Sequence, residues 1–257
     1  MNTLSLPIPD SISDHTVVSR DAWIQARKAL LEKEKEHLSR HDALCEERRA
    51  LPWVRVEKPY FFDTPKGSTT LAGLFEGRSQ LVLYHFMMGP GWKEGCVGCS
   101  FAVDHIEGPL VHLEHHDVSV VVVSRAPLNE IEAFKKRMGW RFRWVSSHGT
   151  DFNYDYHVSF TKEQITQGKV YYGFELIEGE EEELPGVSVF FKDGADEVYH
   201  TYSAYGRGPE AFLGAYGFLD LTPRGRDEKS PCDWVRHHDR YEFPRSQPAC
   251  CEGAAQQ

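Results

Sequence analysis

The sequence predicts an α/β fold in three layers, a mixed sheet with helices on both faces, and three observations carry that prediction. Residues 81–88 (LVLYHFMM) form an apolar run with the length of a strand buried on both faces, and residues 118–124 (VSVVVVS) form a second. Each run is followed by a segment suited to a helix, 96–106 and 128–138, and this strand–helix alternation is the pattern of a parallel sheet with crossover helices. The chain of 257 residues is 40% apolar and 12% aromatic, enough to bury a sizeable core in one large domain or one and a half.

Taken in order, residues 1–18 carry Pro7, Pro9 and scattered Ser and Asp without periodicity, and read as a flexible arm. Residues 19–51 form an N-terminal helical extension: Ser19 is an N-cap residue type, Trp23, Ala26 and Leu30 recur at helical spacing, and Gly and Pro are absent. One helix or two fit this stretch, and its charged middle, 32–36 (EKEKE), reads as a solvated face. Pro52 ends it and opens the main domain, 52–220. Residues 53–56 and 60–62 read as short strands with turns at Pro59 and at 65–67. The central strand, 81–88, stops at Gly89-Pro90-Gly91. Residues 112–116 (HLEHH) read as a loop before the second strand, and 128–138 as an amphipathic helix with Ile131, Phe134 and Met138 on one side. A further short strand begins at Trp144, an aromatic segment spans 152–160, and an acidic run ends at Glu183. Strands at 187–191 and 198–202 flank a turn at 192–195, and 209–216 reads as a helix. Residues 221–257 form a polar tail whose last ten residues are expected to be mobile.

Lys and Arg number 29 against 39 Asp and Glu, a formal charge of −10, and no basic block interrupts the chain. Nucleic-acid binding needs a concentrated positive surface, so it is disfavoured. The first residues lack a basic and then apolar leader, and no apolar run approaches a membrane span, so a cytoplasmic protein is expected. Six cysteines are too few for a disulfide-stapled scaffold. In a reducing compartment a close pair is catalytic, redox-sensing or metal-binding.

Cys96 and Cys99 are that pair. At i and i+3 of a first helical turn two cysteines share a face and meet the ~5.5–6 Å Cα separation that a disulfide prefers. A helix N-terminus offers unpaired N–H groups that favour a thiolate and lower its pKa below the free value of about 8.5. Cys96, at the helix end, is the expected nucleophile. Cys99, one turn in, is the expected resolving thiol, with a mixed disulfide between the two steps. Structural zinc needs four ligands. Cys45, Cys232, Cys250 and Cys251 form no second close pair, so a metal reading would rest on Cys232 with His237 and His238, or on His112, His115 and His116. Leu184-Pro185, just before a buried strand, is an X–Pro bond able to adopt cis and to shape a groove. His85 lies in the central strand, where it could exchange a proton with Cys99. Residues 234–239 (WVRHHD) are unusually dense in functional side chains, and the sequence alone gives them no role.

The order strand, Cys-x-x-Cys helix, strand, helix, Pro, hairpin and final helix resembles the thioredoxin fold, with 183–185 and the hairpin after it resembling its cis-proline element. The residues before the pair, including 69–77 (TTLAGLFEG), resemble the extension of peroxiredoxin-like relatives. More closely, the chain resembles the bacterial and fungal DUF899 family of thioredoxin-like proteins. The resemblance is carried by 23–36 (WIQARKALLEKEKE), 49–58 (RALPWVRVEK), 84–87 (YHFM), 95–100 (GCVGCS), 123–127 (VSRAP), 136–140 (KRMGW), 151–155 (DFNYD), 200–203 (HTYS), 219–223 (LDLTP) and 234–239, and covers roughly residues 15–243. It implies a thioredoxin-like fold and a dithiol site at Cys96 and Cys99, acting without a cofactor. The expected partners are a disulfide-containing protein or small thiol substrate and an electron-donor reductase; the sequence assigns no oligomeric state.

Two departures qualify the analogy. The insertion 89–95 places Trp92 where it would cover the thiol and line a substrate groove with Leu184 and Pro185. A peroxiredoxin would have Thr or Ser three residues before its reactive Cys, and here that residue is Lys93, which could instead stabilise the thiolate. Disulfide exchange is therefore the expected chemistry, with a thiol-dependent peroxidase or a redox-inactive binding module as the alternatives.

Overall fold

The computed structural model describes residues 15–241; the expectations for most of the arm, for the end of the tail and for Cys250 and Cys251 fall outside them. The chain divides into two units at Leu51 and Pro52. In the first, a single continuous helix, α1 (Arg20–Arg49), starts where the Ser19 hydroxyl accepts the Ala22 N–H and ends with Arg48 and Arg49 against its negative pole. It buries no residue.

The second unit is built on an eight-stranded sheet. Its strands are β1 (Val54–Arg55), β2 (Phe61–Thr64), β3 (Gly67–Thr70), β4 (Gln80–His85), β5 (Val118–Ser124), β6 (Trp144–Ser146), β9 (Gly186–Lys192) and β10 (Val198–Tyr205). They lie in the order β1-β10-β9-β4-β5-β6-β2-β3, and β7 (Lys169–Tyr172) pairs with β8 (Glu175–Glu178) in a separate hairpin. Strands β4, β5 and β6 are parallel, whereas β9 runs antiparallel to β4 and β10 to β9. With α2 (Val97–Val103) between β4 and β5, α4 (Leu128–Met138) between β5 and β6, and α7 (Gly214–Leu219) after β10, this is the thioredoxin-like arrangement.

Alternation along β4 sorts its side chains between two cores. Tyr84 and Phe86 join Cys99, Phe101, Ile131, Phe134, Met138 and Tyr216 on the face covered by α2, α4 and α7. Leu81 and Leu83 point the other way, to Phe62, Phe75, Phe152 and Tyr156.

Several elements differ from the expectation. Residues 112–116 are not a loop: most of them lie in α3 (Leu110–His115), which starts after Pro109, a residue with preset φ and no N–H to orphan. The strand near Phe61 continues to Thr64 and turns at Pro65-Lys66 into β3, unforeseen because Ser68 and the threonines beside it are polar. Helices α5 (Phe152–Asp155) and α6 (Lys162–Thr166) were also unforeseen, although Thr161 and Gln164 give α6 a full capping box. Residues 209–216 split into a 3-10 turn and α7, because Leu213 leaves helical geometry. No peptide bond among the described residues is cis, so Leu184–Pro185 is trans, contrary to the geometry that the resemblance implies.

On the second face His85 is 1% exposed, and its Nε2 lies 2.9 Å from Ser188 Oγ. A buried chain continues from Ser188 to Ser203 and on to His200, while His85 Nδ1 has no hydrogen-bond partner among the described residues. Burial, and then His200, lower the His85 pKa to about 3. An unfolded histidine titrates near 6.5. Stability linked to His85 is therefore full above about pH 6.5 and is lost as pH falls towards 3. In His85→Phe the melting temperature should fall less steeply with acid than in the parent, and at pH 7 the unfolding free energies of the two should agree within about 2 kcal/mol, since one neutral hydrogen bond and one orphaned nitrogen go together. Superimposable acid slopes, read by thermal denaturation from pH 7 to 3, would contradict this.

Candidate dithiol site

The carboxyl end of β4 creates the site. Beyond His85 the chain bonds once more to β5, through Phe86 N–H to Val123 O, and then leaves the sheet in the loop 87–95. Met87 O accepts the Cys96 N–H at 3.0 Å, which returns the loop to the sheet and starts α2 there. Cys96 is the N-cap, with φ −53° and ψ 134°, and its Sγ accepts the Cys99 N–H at 3.5 Å. A sulfur thus takes the place that a Ser or Asp oxygen fills in most helices.

The two sulfurs have opposite electrostatics. Cys96 is half-buried and its pKa is lowered to about 6, first by a hydrogen bond from the Cys99 thiol and then by the N–H groups of Cys99 and Gly98, which outweigh burial and the carboxylate of Glu181. Cys99 is buried, and burial first, then the neighbouring Cys96, push its thiol well up. The Met87 N–H and the Tyr84 hydroxyl act in the other direction on Cys99. One peptide unit beside Met87 therefore faces the Cys99 sulfur, and the other holds the backbone amide of Cys96. Tyr84 is buried, and burial raises its own pKa, so it faces Cys99 as a neutral donor.

Position on β4 decides the fate of His85. As the residue after Tyr84 it projects from the opposite face, onto Phe152 and Tyr156, so the proton exchange with Cys99 expected of it is geometrically excluded and Tyr84 stands there instead. The opposite facing of consecutive residues in any strand contained this signal. Lys93 is exposed, has no hydrogen-bond or ion-pair partner among the described residues, and is not among the groups that shift Cys96. It lines a cavity of about 360 Å³ beside the loop, with Trp92 and Arg137. Trp92 packs against the same core as Cys96. Its indole nitrogen lies over Gly89, where a Cβ would come within 3.1 Å of it and within 3.5 Å of Arg125 Nη2 and Glu183 Oε1.

Leu184 and Pro185 do not line that cavity, and the chain around them is held by groups that the sequence did not single out. Gly186 pairs with His85 across β4 and β9, which brings Pro185 level with the start of the loop 87–95. Tyr172 donates to Pro185 O at 2.6 Å and accepts the Gly206 N–H, and Leu184 packs with Phe160 and Val170. Glu183 is 1% exposed, taking Arg125 Nε at 2.6 Å and the Ser159 hydroxyl at 2.7 Å. Arg125 also donates to Tyr154.

Among the described residues, no three His, Cys, Asp or Glu side chains converge as metal ligands, and no helix is long and apolar enough to cross a membrane. Cys232 meets the Tyr216 hydroxyl at 3.1 Å, His237 the Gly95 carbonyl and His238 the Asp104 carboxylate.

Over residues 12–241 the chain matches the family described as "Bacterial protein of unknown function (DUF899)". No curated protein matches it. Among solved structures it is similar to Xanthomonas campestris peroxiredoxin Q, with 15% identity over 65% of this chain and 96% of that one and a TM-score of 0.40. It is also similar to the peroxidoxin BcpB of Mycobacterium tuberculosis, with 13% identity over 64% and 92% and a TM-score of 0.39. A protein disulfide isomerase-like structure from Bacteroides thetaiotaomicron gives 16% identity over 66% and 92%, with a TM-score of 0.35.

Because only a thiolate is alkylated, iodoacetamide labelling of the reduced protein should rise with pH through a midpoint near 6 at Cys96 and stay negligible at Cys99 across pH 5–8. Residue-resolved mass spectrometry reads both. A Cys96 midpoint at 8.5 or above would show that the helix end does not ionise it.

Proposed function

The chain belongs to the DUF899 family, and we propose that it is a thiol–disulfide oxidoreductase in which Cys96 and Cys99 exchange two electrons with a substrate through a mixed disulfide. The observation that supports this reading is the opposite ionisation of two sulfurs one helical turn apart. The Cys96 thiolate attacks a substrate disulfide; a bond forms between Cys96 Sγ and one substrate sulfur, and the other leaves as a thiolate that takes a proton from solvent. Cys99 then loses its proton and attacks Cys96 Sγ. The Cys96–Cys99 disulfide forms, and the second substrate sulfur leaves as a thiolate. An electron-donor reductase returns the pair to the dithiol. The substrate is a disulfide-containing protein or a small thiol in disulfide form, and the reaction runs in the cytoplasm, where such a pair is kept reduced.

The second step needs charge to develop on a buried sulfur. The Met87 N–H and the Tyr84 hydroxyl supply the donors, so Cys99 becomes a thiolate only as the mixed disulfide is resolved.

Redox titration with thiol counting should interconvert Cys96 and Cys99 as one two-electron couple, and Cys99→Ser should trap a mixed disulfide on Cys96. A pair that stays reduced at every potential, together with no trapped species, would sink the reading. Tyr84→Phe removes one hydrogen bond to a developing charge, worth about 1.5–3 kcal/mol, so resolution should slow by roughly 10- to 100-fold while attack by Cys96 changes only a few-fold. Stopped-flow release of a chromogenic thiol separates the two steps, and equal slowing of both would exclude this role for Tyr84.

A further inference from the structure

The dense segment 234–239 lies against the loop that carries Cys96. His237 is 2% exposed; its Nε2 lies 3.0 Å from Gly95 O and its Nδ1 3.3 Å from Arg137 Nη2. A guanidinium only donates, so Nδ1 is the acceptor, and Nε2 carries the proton and donates to Gly95 O. Gly95 O and the Cys96 N–H belong to one planar peptide unit. That unit is therefore fixed at both ends, by His237 on the oxygen and by Met87 O on the hydrogen. Gly95 also packs directly on two rings, where no side chain fits: a Cβ there would lie 2.3 Å from Phe86 Cε1 and 2.9 Å from Phe134 Cε1.

The histidine is itself held. Its ring meets Phe134 edge-on at 5.4 Å. Arg137 binds Asp239 through two hydrogen bonds, of 2.8 and 3.0 Å, and Glu94 at 2.6 Å, and Arg240 also pairs with Glu94. His238 and the Trp140 indole share Asp104. The segment is thus tied to the redox loop, to α4 and to the end of α2.

We propose that His237 is a positioning residue of the dithiol site: by fixing the Gly95–Cys96 peptide it sets the backbone of the N-cap and keeps Cys96 Sγ on the Cys99 N–H. The inference rests on the dithiol reading for its consequence in turnover. Its physical content is the orientation of Cys96. The titratable groups facing that sulfur are Cys99, Tyr84, Glu181 and Cys232. All of them remain when His237 is replaced.

In the full chain, His237→Leu removes the donor, and His237→Gln offers an amide N–H in place of Nε2. The Leu variant should shift the pH midpoint of Cys96 alkylation upward by about one unit, which lowers the rate at pH 5.5 roughly 10-fold, with the plateau rate at high pH unchanged and the Gln variant close to the parent. A folded Leu variant whose profile superimposes on the parent's would overturn the proposal. Nitrogen-15 NMR of the parent tests it without a variant, so a Leu chain that does not fold leaves it exposed to refutation: His237 should be the Nε2–H tautomer, and the Nδ1–H tautomer would refute it. Redox cycling of the parent is scored separately. Failure to cycle counts against the oxidoreductase reading, and an unmoved alkylation profile counts against His237.

Discussion

The hydrogen bond from the Cys99 N–H to Cys96 Sγ is the interaction around which the site is organised. It exists only if α2 begins at Cys96, and that beginning is dictated from the sheet: β4 must end at His85 and Met87 must reach back to the Cys96 amide. Parallel pairing of β4 with β5 and antiparallel pairing with β9 bury β4 on both edges, so its end is not free to shift. A slip of one residue would move Tyr84 to the far face and bring His85 under Cys99. The ionisation of one sulfur is thus a consequence of strand register.

The acidic run after β8 is held to the same region by a buried ion pair. Arg125 at the end of β5 meets Glu183, and burial outweighs the arginine and Ser159 to keep that carboxyl above its usual range. Removing one partner of such a pair costs about 3–5 kcal/mol, because the other is left charged and dry. The pair fixes the chain just before Leu184 and Pro185. It also keeps Glu181 close enough to oppose ionisation of Cys96, so the site is tuned by a carboxylate as well as by amides.

Periodicity made the α/β frame legible. The runs 81–88 and 118–124 became β4 and β5, and Ile131, Phe134 and Met138 mark the buried face of α4. The Cys pair was legible because spacing and the strand-to-helix junction carry the chemistry. What escaped depends on contacts between residues far apart in sequence. Glu183 reads only as the end of an acidic run, and nothing local ties it to Arg125. A polar strand such as β3 lacks an apolar signature. Lys93 and His85 lie near the cysteines along the chain, but the loop turns the first to solvent and the pleat turns the second away.

The placement of Cys99 beneath Cys96 has a consequence under oxidative stress. An oxidant that reaches the accessible thiolate first yields a sulfenic acid, and further oxidation of that species destroys the group. On the dithiol reading, the buried thiol one turn away would condense with it and expel water, closing a disulfide that reductants reopen. The core that withholds Cys99 from solvent would thereby give Cys96 an internal safeguard against irreversible damage.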